Sequence, residues 1–171
     1  MNTLFRISFL ATLILVLPLQ SCAQQTMVEK GSYGTMLNTL LSHTVPEVSV
    51  TQASEEEEVV FLDARELEEF EVSHIEGAHF VGYDNFEMDA VADIPKDKQV
   101  IVYCSVGYRS EKVSEQLIRA GYSNVSNMYG GIFEWKNAGH PVVDSTNVAT
   151  EKVHAYNRTW GVWLRKGKKV Y

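Results

Sequence analysis

Gln99-Val100-Ile101-Val102-Tyr103-Cys104-Ser105-Val106-Gly107-Tyr108-Arg109-Ser110 is the stretch that decides how this chain folds. Its first five residues carry the strongest strand signal in the sequence, an apolar run rich in β-branched residues. The pattern breaks at Cys104. From Ser110 to Ala120 a different period takes over, with Val113, Leu117 and Ile118 three or four residues apart, and Gly121 stops it as a C-terminal glycine does. A strand, a tight loop and an amphipathic helix therefore follow one another. A second run, Val59-Val60-Phe61-Leu62, also lacks alternation, and four consecutive apolar residues mark a strand buried on both faces.

Working outward, Asp63 closes that second run and is placed to cap a helical segment over Ala64 to Glu71, with Leu67 and Phe70 on one side. Ser73-His74-Ile75-Glu76-Gly77-Ala78-His79-Phe80 leads through a glycine into a short strand. A helix is expected over Phe86 to Ala92, a turn at Pro95-Lys96-Asp97 and a strand over Asn124 to Asn127. Gly130-Gly131 opens a further helix, ended by Gly139 and Pro141. Upstream, Met36, Leu37, Leu40 and Leu41 share one face of a short helix, Val45 to Val50 reads as a first strand, and Glu55 to Glu58 is a solvated charge run. Strands alternating with helices predict an α/β fold, a central parallel sheet with helices on both faces.

The loop after Tyr103 carries the chemistry. Where a buried strand ends and a helix begins, several backbone N–H groups have no helical partner and converge, which makes a cradle for negative charge. A cysteine in such a cradle is favoured as thiolate, the nucleophilic form, so Cys104 is the candidate nucleophile. Ser105, Val106, Gly107 and Tyr108 supply the cradle, and Gly107 lets the backbone fold tightly around the sulfur. Arg109 adds a permanent positive charge with planar donors suited to an oxyanion such as a sulfonate. Asp63 and Arg65 are read as holding the turn behind the loop by hydrogen bonds and charge pairing. His74 and His79 lack a cysteine or carboxylate to complete a ligand set, so His74 is read as structural and no metal is expected.

At these residues the sequence resembles the rhodanese family of single-domain sulfurtransferases. The resemblance runs from about Val45 to Val143. It includes Leu62-Asp63-Ala64-Arg65, Glu69-Phe70, His74-Ile75-Glu76-Gly77-Ala78, the Cys104 loop, Gly130-Gly131 with Trp135, and Gly139-His140-Pro141-Val142. It implies a two-step reaction without metal or organic cofactor. Cys104 takes a sulfane sulfur from a donor such as thiosulfate as a persulfide, then yields it to cyanide or a thiol. Arg109 is implied to bind the donor's anionic leaving group. Ser105 stands where some thiosulfate-using members carry a basic residue, which points to thiosulfate as a poor or surrogate donor. Four residues separate Cys104 from Arg109, whereas the related phosphatase loops use five, so sulfur transfer is favoured over phosphate hydrolysis. A non-turnover sulfur carrier or binding module of the cell envelope is the alternative from a different class.

The remaining residues read as an address and a tail. Of 171 residues, 1–21 carry Arg6, an apolar stretch from Ile7 to Leu17 too short to span a bilayer, and Leu19-Gln20-Ser21-Cys22, which resembles a bacterial lipobox with Cys22 as the lipidated residue. Ser21-Cys22-Ala23 also satisfies ordinary signal cleavage before Gln24. Either reading predicts an exported protein of the bacterial periplasm or outer membrane; the favoured lipobox reading has it touch the membrane by a lipid anchor only, and ordinary cleavage leaves it soluble in the periplasm. Residues 22–44 are expected to form a tether and short helix, 45–143 the rhodanese-like domain, and 144–171 a tail that packs on the domain edge, with a small hairpin within Trp163 to Tyr171. A net charge of −7 lacks the basic field that nucleic-acid binding requires, so the expected partners are a small sulfur donor and acceptor. Two cysteines rule out a disulfide scaffold.

Overall fold

A computed structural model of the protein describes Met27, Val28 and residues 31–171. The expected signal segment and Cys22 lie outside the described residues. The chain forms α1 (Gly31–Leu40), β1 (Glu47–Val48), α2 (Val50–Glu55), β2 (Val60–Asp63), α3 (Leu67–Val72), β3 (His79–Phe80), β4 (Val100–Tyr103), α4 (Tyr108–Arg119), β5 (Val125–Met128) and α5 (Gly131–Ala138). Five strands make one parallel sheet in the order β1-β5-β4-β2-β3. Every residue of central β4 is buried, as an apolar run without alternation requires. Its side chains divide between two cores. Ile101 and Tyr103 join α1, α2 and α5 on one face, while Val100 and Val102 pack with Val113 and Leu117 of α4 on the other.

Local chemistry moves several boundaries. The first strand is only two residues long because Ser49 and Gln52 form a capping box: the Ser49 hydroxyl accepts from the Gln52 N–H at 3.2 Å, and the Gln52 side chain accepts from the Ser49 N–H at 3.1 Å. Val50 thus opens a helix instead of closing a strand. The helix expected from Ala64 begins at Leu67, since the Asp63 carboxylate is engaged by Arg65 and the entry falls to Glu66, whose N–H donates to Glu69 at 3.1 Å. Phe86 to Ala92 holds only a 3₁₀ turn, Met88–Val91.

The tail differs most from expectation. Its hairpin lies at the start, where β6 (Val142–Val143) pairs antiparallel with β7 (Ala149–Thr150). The Asp144 carboxylate holds the intervening turn by accepting from Thr146 and Val148 N–H. The end of the chain is no hairpin. There β9 (Lys168–Val170) pairs parallel with β8 (Lys152–His154), and a 3₁₀ turn, Trp160–Trp163, occupies the connection. Two parallel strands need a crossover, and Asn137 of α5 anchors this one: its side chain accepts from Arg165 and Lys166 N–H at 2.7 and 3.2 Å and donates to the Trp163 carbonyl at 2.9 Å. Trp163 stacks on Tyr33 of α1, with ring centroids 5.2 Å apart. Segments before and after the sheet therefore meet on the same side of the molecule.

Candidate active site

The end of β4 delivers Cys104 to the floor of a cavity of about 350 Å³. The thiol is buried, and its sulfur accepts the Gly107 N–H at 3.1 Å. Gly107 adopts φ 116°, a left-handed conformation that turns its amide back onto the sulfur and starts α4. Ser105, Val106, Tyr108 and Arg109 line the same cavity. All the loop residues expected from the sequence are thus brought to one place.

The loop is fixed from three sides. Behind it, the first amides of α5 point at its carbonyls: Ile132 N–H donates to Cys104 O at 2.9 Å and Phe133 N–H to Ser105 O at 3.2 Å. This approach needs Gly131, at φ 57°, because a Cβ there would lie 2.3 Å from the Cys104 carbonyl oxygen. Below it, the Asn127 amide donates to Gly107 O at 3.0 Å and accepts from the Ser110 hydroxyl at 2.7 Å. In front, Glu69 of α3 gathers the polar side chains. It accepts Arg109 Nη1 and Nη2 at 2.6 and 2.9 Å and the Ser105 hydroxyl at 2.9 Å, and Arg109 Nη2 also donates to Ser105 Oγ at 3.0 Å.

Burial raises the Glu69 carboxyl, but the hydrogen bonds and charge of Arg109 outweigh it and hold Glu69 below its ordinary value. Burial likewise works against charge on Arg109, and Glu69 more than reverses it, with further support from the Cys104 sulfur. The guanidinium is therefore a permanent cation whose charge is already met by a carboxylate. Glu66 stands 3.9 Å away as a second one.

Asp63 and Arg65 form a separate, wholly buried pair. Arg65 Nε and Nη2 clasp the Asp63 carboxylate at 2.9 and 2.6 Å, the Arg65 N–H donates to it at 3.0 Å, and Nη2 continues to the Ser73 carbonyl at 2.6 Å. Burial disfavours the Arg65 charge, but Asp63 more than compensates and raises its pKa. The guanidinium lies 5.8 Å from the centroid of the Tyr103 ring, one residue before the cysteine. The pair ties the end of β2 to the Ser73 carbonyl just after α3 and is not among the residues that line the cavity. His74 stacks on Phe70 at 3.9 Å and bonds its carbonyl through Nδ1, also away from the sulfur.

Sequence reasoning did not assign Glu69, Asn127, Tyr156 or Trp160 to the site. Glu69 was read as a helical residue and as part of the family resemblance, without a role in the site, and Asn127 only as a strand end. A polar residue closing a strand beside the one that carries the cysteine was the available signal for Asn127. The aromatic residues Tyr156 and Trp160, from the tail, also line the cavity, and nothing local in the sequence places them there.

A loop of six residues from Cys104 to Arg109, set on a parallel sheet and pinned by the next helix, defines a class of fold and site. Residues 48–138, more than half of the chain, match the Rhodanese-like domain family, and the chain belongs to it. The chemistry of that family is of the sulfurtransferase type. Over 91 residues the chain is 36% identical to the tRNA uridine(34) hydroxylase of Photorhabdus laumondii, a stretch that covers 50% of this chain and 26% of that protein. Over 100 residues it is 32% identical to the enzyme of the same name from Yersinia pestis, covering 56% and 28% respectively. The chain spans about a quarter of the length of these curated relatives. Among solved structures, the BH2092 protein of Bacillus halodurans matches with a TM-score of 0.54 at 21% identity, over 67% of this chain and 85% of that one. Thiosulfate sulfurtransferase of Pseudomonas aeruginosa matches with 0.53 at 23%, over 66% and 23%. These two likenesses are of fold.

Proposed function

We propose that the protein is a sulfurtransferase that carries sulfane sulfur as a persulfide on Cys104. The observation that supports this most directly is the Cys104 sulfur at a cavity floor, receiving the Gly107 amide inside a loop whose backbone is locked. The Cys104 thiolate attacks the outer sulfur of a donor. With thiosulfate, the donor's S–S bond breaks, its electron pair leaves on sulfite, and a persulfide anion remains on the enzyme. Cyanide or a thiolate then attacks that terminal sulfur, and the S–S bond breaks to return the Cys104 thiolate and release thiocyanate or a new persulfide. The Gly107 amide stabilises charge on sulfur, as an oxyanion hole does for oxygen, and Arg109 holds the loop while adding positive potential. The net charge of −7 favours small acceptors over the tRNA named for the relatives.

The test is to incubate the protein with thiosulfate or an organic sulfane donor, record intact mass, then add cyanide and measure thiocyanate. A gain of one sulfur on wild type and none on Cys104→Ser, with turnover, is expected. A persulfide that forms without turnover makes the protein a carrier, and absence of a persulfide with every donor refutes both readings. We further propose, from Leu19-Gln20-Ser21-Cys22, that the chain is exported and lipidated at Cys22. Cys22→Ser is expected to leave the membrane pellet for the soluble fraction, and its retention there refutes lipidation.

A further inference from the structure

The family match ends at residue 138, yet the cavity over Cys104 is completed from outside it. Leu40 comes from α1, Tyr156 and Trp160 from the tail, and with Tyr83, Val106 and Tyr108 they give the cavity a largely apolar wall. The tail residues are held in place. Tyr156 has φ 61°, its N–H donates to His154 Nδ1 at 3.2 Å, and its ring lies 5.4 Å from the Arg109 guanidinium. The Trp160 N–H donates to Asn157 at 3.1 Å.

Outside the cradle that receives charge on sulfur, the charges around this wall do not favour a ligand with a fixed anion. Among the described residues that line the cavity, Arg109 is the sole cation, and it faces Glu69 at 2.6 Å and Glu66 at 3.9 Å. Of the five N–H donors of its guanidinium, three are engaged by Glu69 and Ser105. Glu66 and Asp84 add carboxylates to the lining. About 350 Å³ also lies in the range of sites for organic molecules and far exceeds an inorganic ion of a few atoms.

We propose that the sulfur acceptor at Cys104 is a thiol whose aromatic or alkyl body carries no charge, seated against Leu40, Tyr156 and Trp160. This rests on the sulfur-transfer reading for its chemistry and on the wall alone for its binding. The acceptor's thiolate, formed by loss of its own proton to solvent, attacks the terminal persulfide sulfur. The enzyme's S–S bond breaks, the electron pair returns to Cys104, and the acceptor departs as an organic persulfide.

The experiment has two arms. In the first, the persulfide is loaded and confirmed by mass, then discharged with benzyl mercaptan or with 2-mercaptoethanesulfonate, a small thiol bearing a fixed anion. Benzyl mercaptan is expected to be favoured in kcat/KM by tenfold or more, the scale on which one buried aromatic contact discriminates. Tyr156→Arg puts a cation into the wall at a half-exposed position, and it is expected to shift the preference toward the sulfonate by a similar factor, a gain that misfolding does not produce. In the second arm, benzyl mercaptan is titrated into Cys104→Ser with tryptophan fluorescence as the readout. Saturable binding that Tyr156→Ala weakens is expected, with none for the sulfonate. Equal or better use of the sulfonate thiol, or absence of benzyl mercaptan binding, overturns the proposal. A persulfide that never forms while benzyl mercaptan still binds refutes the sulfur-transfer reading and leaves the apolar wall standing.

Discussion

Two carboxylate–guanidinium pairs lie within one neighbourhood of this molecule and do different work. Asp63–Arg65 is a contact between residues two apart, with both side chains fully buried. Glu69–Arg109 joins residues 40 apart at the cavity edge, with 14% of the arginine side chain exposed. The first ties the end of β2 to the end of α3 and carries an imperfection: Arg65 Nη1 is buried without a hydrogen-bond partner among the described residues. The second spreads its bonds over Ser105 and the loop. Similar chemistry thus serves the sheet in one place and the site in the other, and burial decides which loss is felt as unfolding.

The largest effect is expected from breaking the buried pair on one side only. Arg65→Ala or Asp63→Ala strands a charge in the core and should destabilise the fold by about 3–5 kcal/mol in urea unfolding. The double replacement Asp63→Leu with Arg65→Met removes both charges and should cost less than either single change, because no charge is left unpaired. If the double variant is as damaged as the singles, the pair contributes more than mutual neutralisation. Next in size is Glu69→Gln, expected to cost about 2 kcal/mol and to slow persulfide formation severalfold, as the loop loses its anchor to α3.

Acidity provides a finer cut. Because Glu69 lies below its ordinary value of 4.5 in the folded chain, its stabilising contribution is whole above that value and fades as pH falls through the lower, folded one. The stability difference between wild type and Glu69→Gln should therefore shrink below about pH 4.5 and be constant near neutrality, as measured by urea unfolding at each pH. The smallest effect belongs to Glu66→Gln. At 3.9 Å from Arg109 and with a third of its side chain exposed, Glu66 should contribute less than about 0.5 kcal/mol. A larger loss would show that Arg109 relies on both carboxylates.

The same contrast between near and distant partners explains what was legible in the sequence. The sheet was, because Val59–Leu62 and Gln99–Tyr103 announce strands by composition alone, although of the two only β4 is buried along its whole length and Val60 and Phe61 of β2 are half-buried. So was the Cys104 loop, which lies within six consecutive residues. Asp63 and Arg65 were assigned to the turn because their partnership spans two residues. Strand and helix ends were less legible, since side chains competed for them: Ser49 and Gln52 converted a strand's end into a helix start, and Arg65 claimed the carboxylate expected to cap α3. Glu69, Asn127, Tyr156 and Trp160 were not legible at all as site residues. Their roles arise when the sheet brings α3, β5 and the tail around one loop, and no local period records that.

The absence of room at Gly131 gives the reaction a direction in space. With the Cys104 and Ser105 carbonyls pressed against the first turn of α5, the backbone has nowhere to retreat when the cysteine lengthens by one sulfur atom. The new atom extends into the cavity that the rings of Tyr156 and Trp160 also line. A methyl group added behind the loop, as in Gly131→Ala, would meet the Cys104 and Ser105 backbone at 2.3 to 2.8 Å and displace the loop that carries the sulfur.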